Sequence, residues 1–162
     1  MKKLFKVIIL TMLMLASTAV NGYSQESSKV QTAVSELVRK YDGKPGVTCM
    51  TAEKGSGLGM LKMILKDEFG KSFLKGVTRI TLIIYAEASQ EICDSIHKDM
   101  DIFLSMLEEF PLGNEEEFAD NQYIRCFAAE NGAGRLSDFV SAIEDKDMKC
   151  LVYMSGDIDI ED

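Results

Sequence analysis

Apolar residues recur at Val30, Ala33, Val34, Leu37, Val38 and Tyr41, with polar residues between them. That is the spacing of one helical face, so a helix is predicted from Ser28 to Tyr41. Ser28 with Gln31 fits a capping box, Gly43 closes the helix and Pro45 prevents its resumption. Val47 to Ala52 reads as a short strand. The Gly-rich stretch Lys54-Gly55-Ser56-Gly57-Leu58-Gly59 then leads into a helix from about Leu58 to Phe69, stopped by Gly70. Val77 to Glu87 contains the nearly continuous apolar run Ile80-Thr81-Leu82-Ile83-Ile84-Tyr85-Ala86, the profile of a central strand covered on both faces for part of its length.

Ser89 opens the longest predicted helix, to about Phe110, with the stripe Ile92, Ile96, Met100, Phe103, Leu107 and a stop at Pro111 and Gly113. The period then changes. Glu115–Ala119, Tyr123–Glu130, Leu136–Ile143 and Lys149–Ser155 read as four strands joined by short turns, an antiparallel meander. The fold class expected is α+β: a mixed, largely antiparallel sheet with two or three helices mainly on one face, a single pair of layers. No repeat or low-complexity stretch divides it, so residues 25–162 read as one domain.

The first residues have a different pattern. Lys2, Lys3 and Lys6 precede the apolar run Val7–Ala16, and small or polar residues follow to Gln25. These are the parts of a cleavable export signal, and a run of about 10 apolar residues falls short of the ~20 needed to span a bilayer. Cleavage is expected after Ser24, with Gly22 nearly as good. The first cysteine is Cys49, so no lipid-bearing cysteine stands at the cut, and a soluble periplasmic or secreted product is expected, without a membrane anchor.

The formal charge of the chain is −8; residues 1–24 hold three lysines and no acid, so the remainder carries −11. Such a balance argues against nucleic acids and anionic lipid heads as partners, because both are bound through clustered Lys and Arg. It leaves proteins, metal ions and neutral ligands, or acidity that serves solubility alone.

The helix with Leu37-Val38-Arg39-Lys40-Tyr41, the Gly46-Val47 start of the first strand, and the segment Gly134-Arg135-Leu136-Ser137-Asp138-Phe139 through Ser155-Gly156-Asp157-Ile158-Asp159-Ile160 resemble small exported proteins grouped as domain of unknown function 4252, common in Bacteroidetes. The resemblance covers most of the chain after the signal and implies an exported α+β domain. Many members carry a lipoprotein cysteine that this sequence lacks. The family has no assigned activity, so the resemblance implies no site residue.

No motif assembles a catalytic, cofactor or metal site. Gly55, Gly57 and Gly59 suggest a phosphate cradle, but the dinucleotide fingerprint needs glycine where Met60 stands. Gly70-Lys71-Ser72 mimics the end of a P-loop, yet the earlier glycine is Leu65 and the triplet ends a helix that it should begin. His97 is the only histidine, which removes two-histidine metal motifs; the stripe places its ring half exposed at a boundary.

Cys49, Cys93, Cys126 and Cys150 are separated by 44, 33 and 24 residues, without a Cys-x-x-Cys. Buried free thiols are expected. Cys126 and Cys150 should not pair, because strands two apart lie ~9–10 Å from each other and a disulfide needs Cα atoms within ~7 Å. Cys93 could face a strand cysteine. Glu115-Glu116-Glu117 and the tail Asp157–Asp162 are the densest acids, read as solvated or as guarding a sheet edge; the tail lacks the glycine and distal Glu of a calcium loop.

Two functions are therefore expected, in order. The first is a non-catalytic envelope module that binds a protein or small ligand through an exposed sheet face or the Gly-rich loop. The second is a hydrolase or transferase that uses a Cys or Ser nucleophile with His97, or acids such as Glu53, Asp67 and Glu68.

Overall fold

A computed structural model describes residues 29–110, 123–131, 134–145 and 147–160. The expected signal, the Ser28 cap, the strand at Glu115–Ala119 and the last two residues of the acidic tail lie outside the described residues. In chain order the elements are α1 (Lys29–Tyr41), β1 (Thr48–Ala52), α2 (Gly55–Phe69), α3 (Lys71–Lys75) and β2 (Val77–Ile84). Then come α4 (Gln90–Leu104), β3 (Glu108–Phe110), β4 (Tyr123–Glu130), β5 (Leu136–Glu144) and β6 (Lys149–Ile158).

The strands form one six-stranded open sheet in the order β1-β2-β6-β5-β4-β3, with each neighbouring pair antiparallel. The α+β class and the C-terminal meander β4-β5-β6 are thus as the sequence predicts. Ile80, Thr81, Leu82 and Ile83 of β2 are all buried, which accounts for its continuous apolar run.

Side chains alternate along each strand, so every inner strand supplies two cores. On β6, Leu151 and Tyr153 join one core while Cys150, Val152 and Met154 join the other. The first core is closed by α1 and α4 through Val34, Leu37, Tyr41, Ile96, Met100 and Phe103. The second is closed by α2 and α3 through Leu61, Leu65 and Leu74. There Phe73 meets Phe139 edge-on at 5.1 Å, and Phe69 stacks on Phe73 at 5.8 Å. The four helices among the described residues divide between both faces of the sheet. The expectation of helices mainly on one face missed this because an amphipathic stripe reports that a helix has a buried side, not which face receives it.

Several boundaries also differ, among them the end of β2, at Ile84 and not Glu87. The long helix stops at Leu104, not Phe110. Met106 and Leu107 donate to the carbonyls of Phe103 and Leu104 at 3.0 Å, tightening the end, and Glu108–Phe110 pair with β4. Leu107 still packs on the first core, so the apolar period runs on after the helix has ended.

The Gly-rich stretch is the first turn of α2, not a connection before it. The tail is not an edge segment. Through Ile158 it completes β6, third of six strands, with Ile158 fully buried and Asp157 and Asp159 paired with Arg135.

Glycine is required where backbones touch. A Cβ on Gly76 would lie 1.8 Å from the carbonyl oxygen of Asp157, whose own N–H donates to the Gly76 carbonyl at 3.0 Å. This contact sets where β2 and β6 begin to pair.

Candidate functional site

Chemistry-bearing side chains collect in two places, one in each helical layer. In the α1/α4 layer, Tyr85 follows β2, His97 lies on α4 and Glu144 ends β5. The Tyr85 hydroxyl donates to Glu144 Oε1 at 3.0 Å and lies 3.4 Å from His97 Nε2. His97 Nε2 itself contacts Glu144 Oε1 closely. An ionised carboxylate only accepts, so Nε2 carries the proton it presents to Glu144. Burial first, then the charge and hydrogen bond of Glu144, push the Tyr85 phenol above its usual range.

This arrangement clasps three elements together. Nε2 is committed to Glu144, and no serine or cysteine is a partner of His97 among the described residues. The imidazole is 35% exposed, the boundary position that the helical stripe predicts.

Burial raises three of the four thiols, those of Cys49, Cys126 and Cys150, away from the reactive thiolate. All four cysteines are free, and Cys126 and Cys150 lie on β4 and β6 with β5 between them. Burial, helped by the Asp145 charge, pushes the Cys150 thiol up to about 12; burial and Asp42 do the same for Cys49. Cys93 Sγ sits 3.8 Å from Lys149 Nζ and from the carbonyl oxygens of Tyr85 and Ala88. Among the acids considered for catalysis, Glu53 is held by Arg79 and Asp67 is exposed on α2. The side chain of Glu68 lies outside the described residues. None of this set joins His97 among the described residues.

A second polar group ties α1 to α4. Asp99 Oδ2 accepts from Lys40 Nζ at 2.5 Å and from the Tyr41 hydroxyl at 2.7 Å. Burial opposes the Asp99 charge, but these two hydrogen bonds outweigh it and hold the carboxyl below its ordinary range.

The α2/α3 layer holds the other collection. Leu58, Leu61 and Leu65 turn one side of α2 to the sheet. Gly59, Lys62, Met63 and Lys66, at helical positions i, i+3, i+4 and i+7, form an adjacent side. Across from them stand Lys71, Ser72, Leu74 and Lys75 of α3, enclosing a groove of about 770 Å³. Small-molecule sites span ~300–1,000 Å³, so the groove is large enough for one.

Its four lysines make no ion pair among the described residues, and Lys62 Nζ donates to the Lys75 carbonyl at 3.4 Å. Burial lowers the Lys62 pKa. Like charges gathered around an apolar floor repel one another, and an anion in the groove relieves that repulsion.

Two sequence features thus acquire a place: Gly59 and Lys71-Ser72 line the groove, although neither forms a nucleotide motif. The lysines themselves were missed. Their signal was the pair of i, i+4 lysines on each side of Gly70, with Met60 and Met63 out of phase with the leucine stripe.

Neither the acidic clusters nor the thiols gather three metal-ligating groups among the described residues. No helix among the described residues is long and apolar enough to cross a membrane. No family model, curated protein or solved structure matches the chain.

Proposed function

We propose that the chain is exported and works in the envelope as a non-catalytic binding module, and that the α2–α3 groove is its binding site. The ligand class that fits is an anion with an apolar part. One observation carries this reading: four lysines converge on an apolar-floored groove in a chain whose net charge is −8. Binding through a bare sheet face loses its basis, since both faces bury their central residues under helices. The Gly-rich route survives in altered form, because Gly59 lines the groove. Membership of the domain of unknown function 4252 family belongs to the same proposal and adds no activity to it.

All described elements begin at Lys29 or later, so the chain without residues 1–24 keeps every one of them. Titrating that protein with dodecyl phosphate below its micelle concentration should raise Tm progressively, as a ligand of the native state must. An uncharged dodecyl glycoside and inorganic phosphate should each do less. Equal response to all three, or to none, would refute the reading. Export is tested separately: mass spectrometry of the envelope fraction should find the chain cut after Ser24 or Gly22.

A further inference from the structure

Five large apolar side chains are exposed among the described residues, and two of them, Met60 at 38% and Met63 at 70%, are one turn apart on α2. Met63 lines the groove, whereas Met60 stands outside it. A small ligand seated between α2 and α3 would leave Met60 in water. A broad surface that is both anionic and apolar would cover both methionines and reach all four lysines.

The charge is segregated in the same sense. Residues 54–75 hold five lysines against two acids, a net +3, which leaves −14 on the rest of residues 25–162. A stretch of opposite sign to the rest of the chain is the part that an anionic surface attracts. Methionines flanked by lysines are also what an interfacial helix needs: apolar groups for the acyl boundary and ammonium groups for the phosphates beside it.

We infer that the α2–α3 face is a docking surface for an anionic phospholipid bilayer, with Lys62, Lys66, Lys71 and Lys75 on headgroup phosphates and Met60 and Met63 at the acyl boundary. The inference rests on the binding-module reading of the same groove and names its partner. It reverses locally what net charge implied about anionic lipids. The attachment is peripheral and reversible, and it weakens with salt because the exposed charges are screened.

The test is flotation of the chain lacking residues 1–24 with vesicles of phosphatidylcholine containing phosphatidylglycerol, against phosphatidylcholine alone. Capture should be about tenfold stronger with phosphatidylglycerol and fall as salt rises. The double substitution K66E/K71E should abolish it, and Met63→Ser should weaken it several-fold. Ile102→Ser, an exposed apolar site on α4, should leave it unchanged. All these side chains are exposed, and an unaltered circular dichroism melt verifies the fold of each variant.

Equal capture by both vesicle types, or full capture of K66E/K71E, would overturn the inference. So would a vesicle-free dimer that dissolves in K66E/K71E, which assigns the face to a second copy. If vesicles are not bound but dodecyl phosphate still raises Tm, the membrane inference fails and the groove reading stands. If neither binds, both fail.

Discussion

The two helical layers close the same sheet in different ways. Over the α1/α4 layer, amphipathic helices place Val34, Ile96 and Phe103 at 1% exposure, and polar side chains finish the seal: Asp99 with Lys40 and Tyr41, and Glu144 with Tyr85 and His97. These polar groups are paired within the fold. Over the α2/α3 layer, the leucines and Phe73 complete a core of similar quality, but the outer side carries exposed Met60 and Met63 and four lysines without carboxylate partners among the described residues. Residues that contribute nothing to stability, or oppose it, are what a binding surface looks like in an otherwise consistent fold. The first layer explains why the domain holds together. The second suggests what it holds.

This contrast can be broken at four points. Phe103→Ala should be the most damaging, since truncating a fully buried aromatic costs about 3–5 kcal/mol; chemical denaturation of this variant against Met63→Ala, expected within about 0.5 kcal/mol of the parent, measures the difference between the layers directly. If Met63→Ala proves as costly, the groove is a structural feature and the contrast collapses. Next is Glu144→Ala. It removes the acceptor of the buried Tyr85 hydroxyl and the partner of His97, and about 1–3 kcal/mol should be lost, seen as a lower denaturation midpoint at unchanged m.

The third is smaller and depends on pH. The folded state holds the Asp99 carboxyl below its ordinary value, so its charge stabilises the cluster at neutral pH and down to about 4, and the contribution disappears as acid protonates it. Asp99→Asn should therefore melt lower than the parent at pH 7 and approach it as the pH falls through 4 to 3. The least effect on stability belongs to K66E/K71E, which should leave Tm unchanged or slightly raised by relieving like-charge repulsion, while it removes binding.

The thiols add a check common to both layers. Four free thiols should react with a maleimide in the denatured, unreduced chain, whereas buried Cys150, its thiol pushed up to about 12, should remain protected in the native one.

Much of this was legible in the chain. The stripe from Val30 to Tyr41, the Ser89 cap, which accepts from Ile92 N–H at 3.4 Å, and the apolar run at Ile80–Ile83 each depend on neighbours a few residues apart. Turn positions between β4, β5 and β6 marked the meander for the same reason. His97 was placed at a boundary correctly, but its partners could not be named, since Tyr85 is 12 residues before it and Glu144 lies on another strand. Leu107 shows how a local period misleads: it packs on the same core as the helical stripe, yet the helix has ended at Leu104 and β4 offers ladder bonds from Glu108, the next residue.

What the sequence by itself determined is the class of the fold, most of its elements and the overall acidity, because periodicity, capping and composition are properties of short stretches or simple sums. Which sheet face each helix covers was decided only in three dimensions, by which core had room for it. So was the groove. A net charge of −8 is a sum over the whole chain, whereas the field a ligand meets is set by the few charges nearest it. Lys62, Lys66, Lys71 and Lys75 become one site only when α2 and α3 fold side by side.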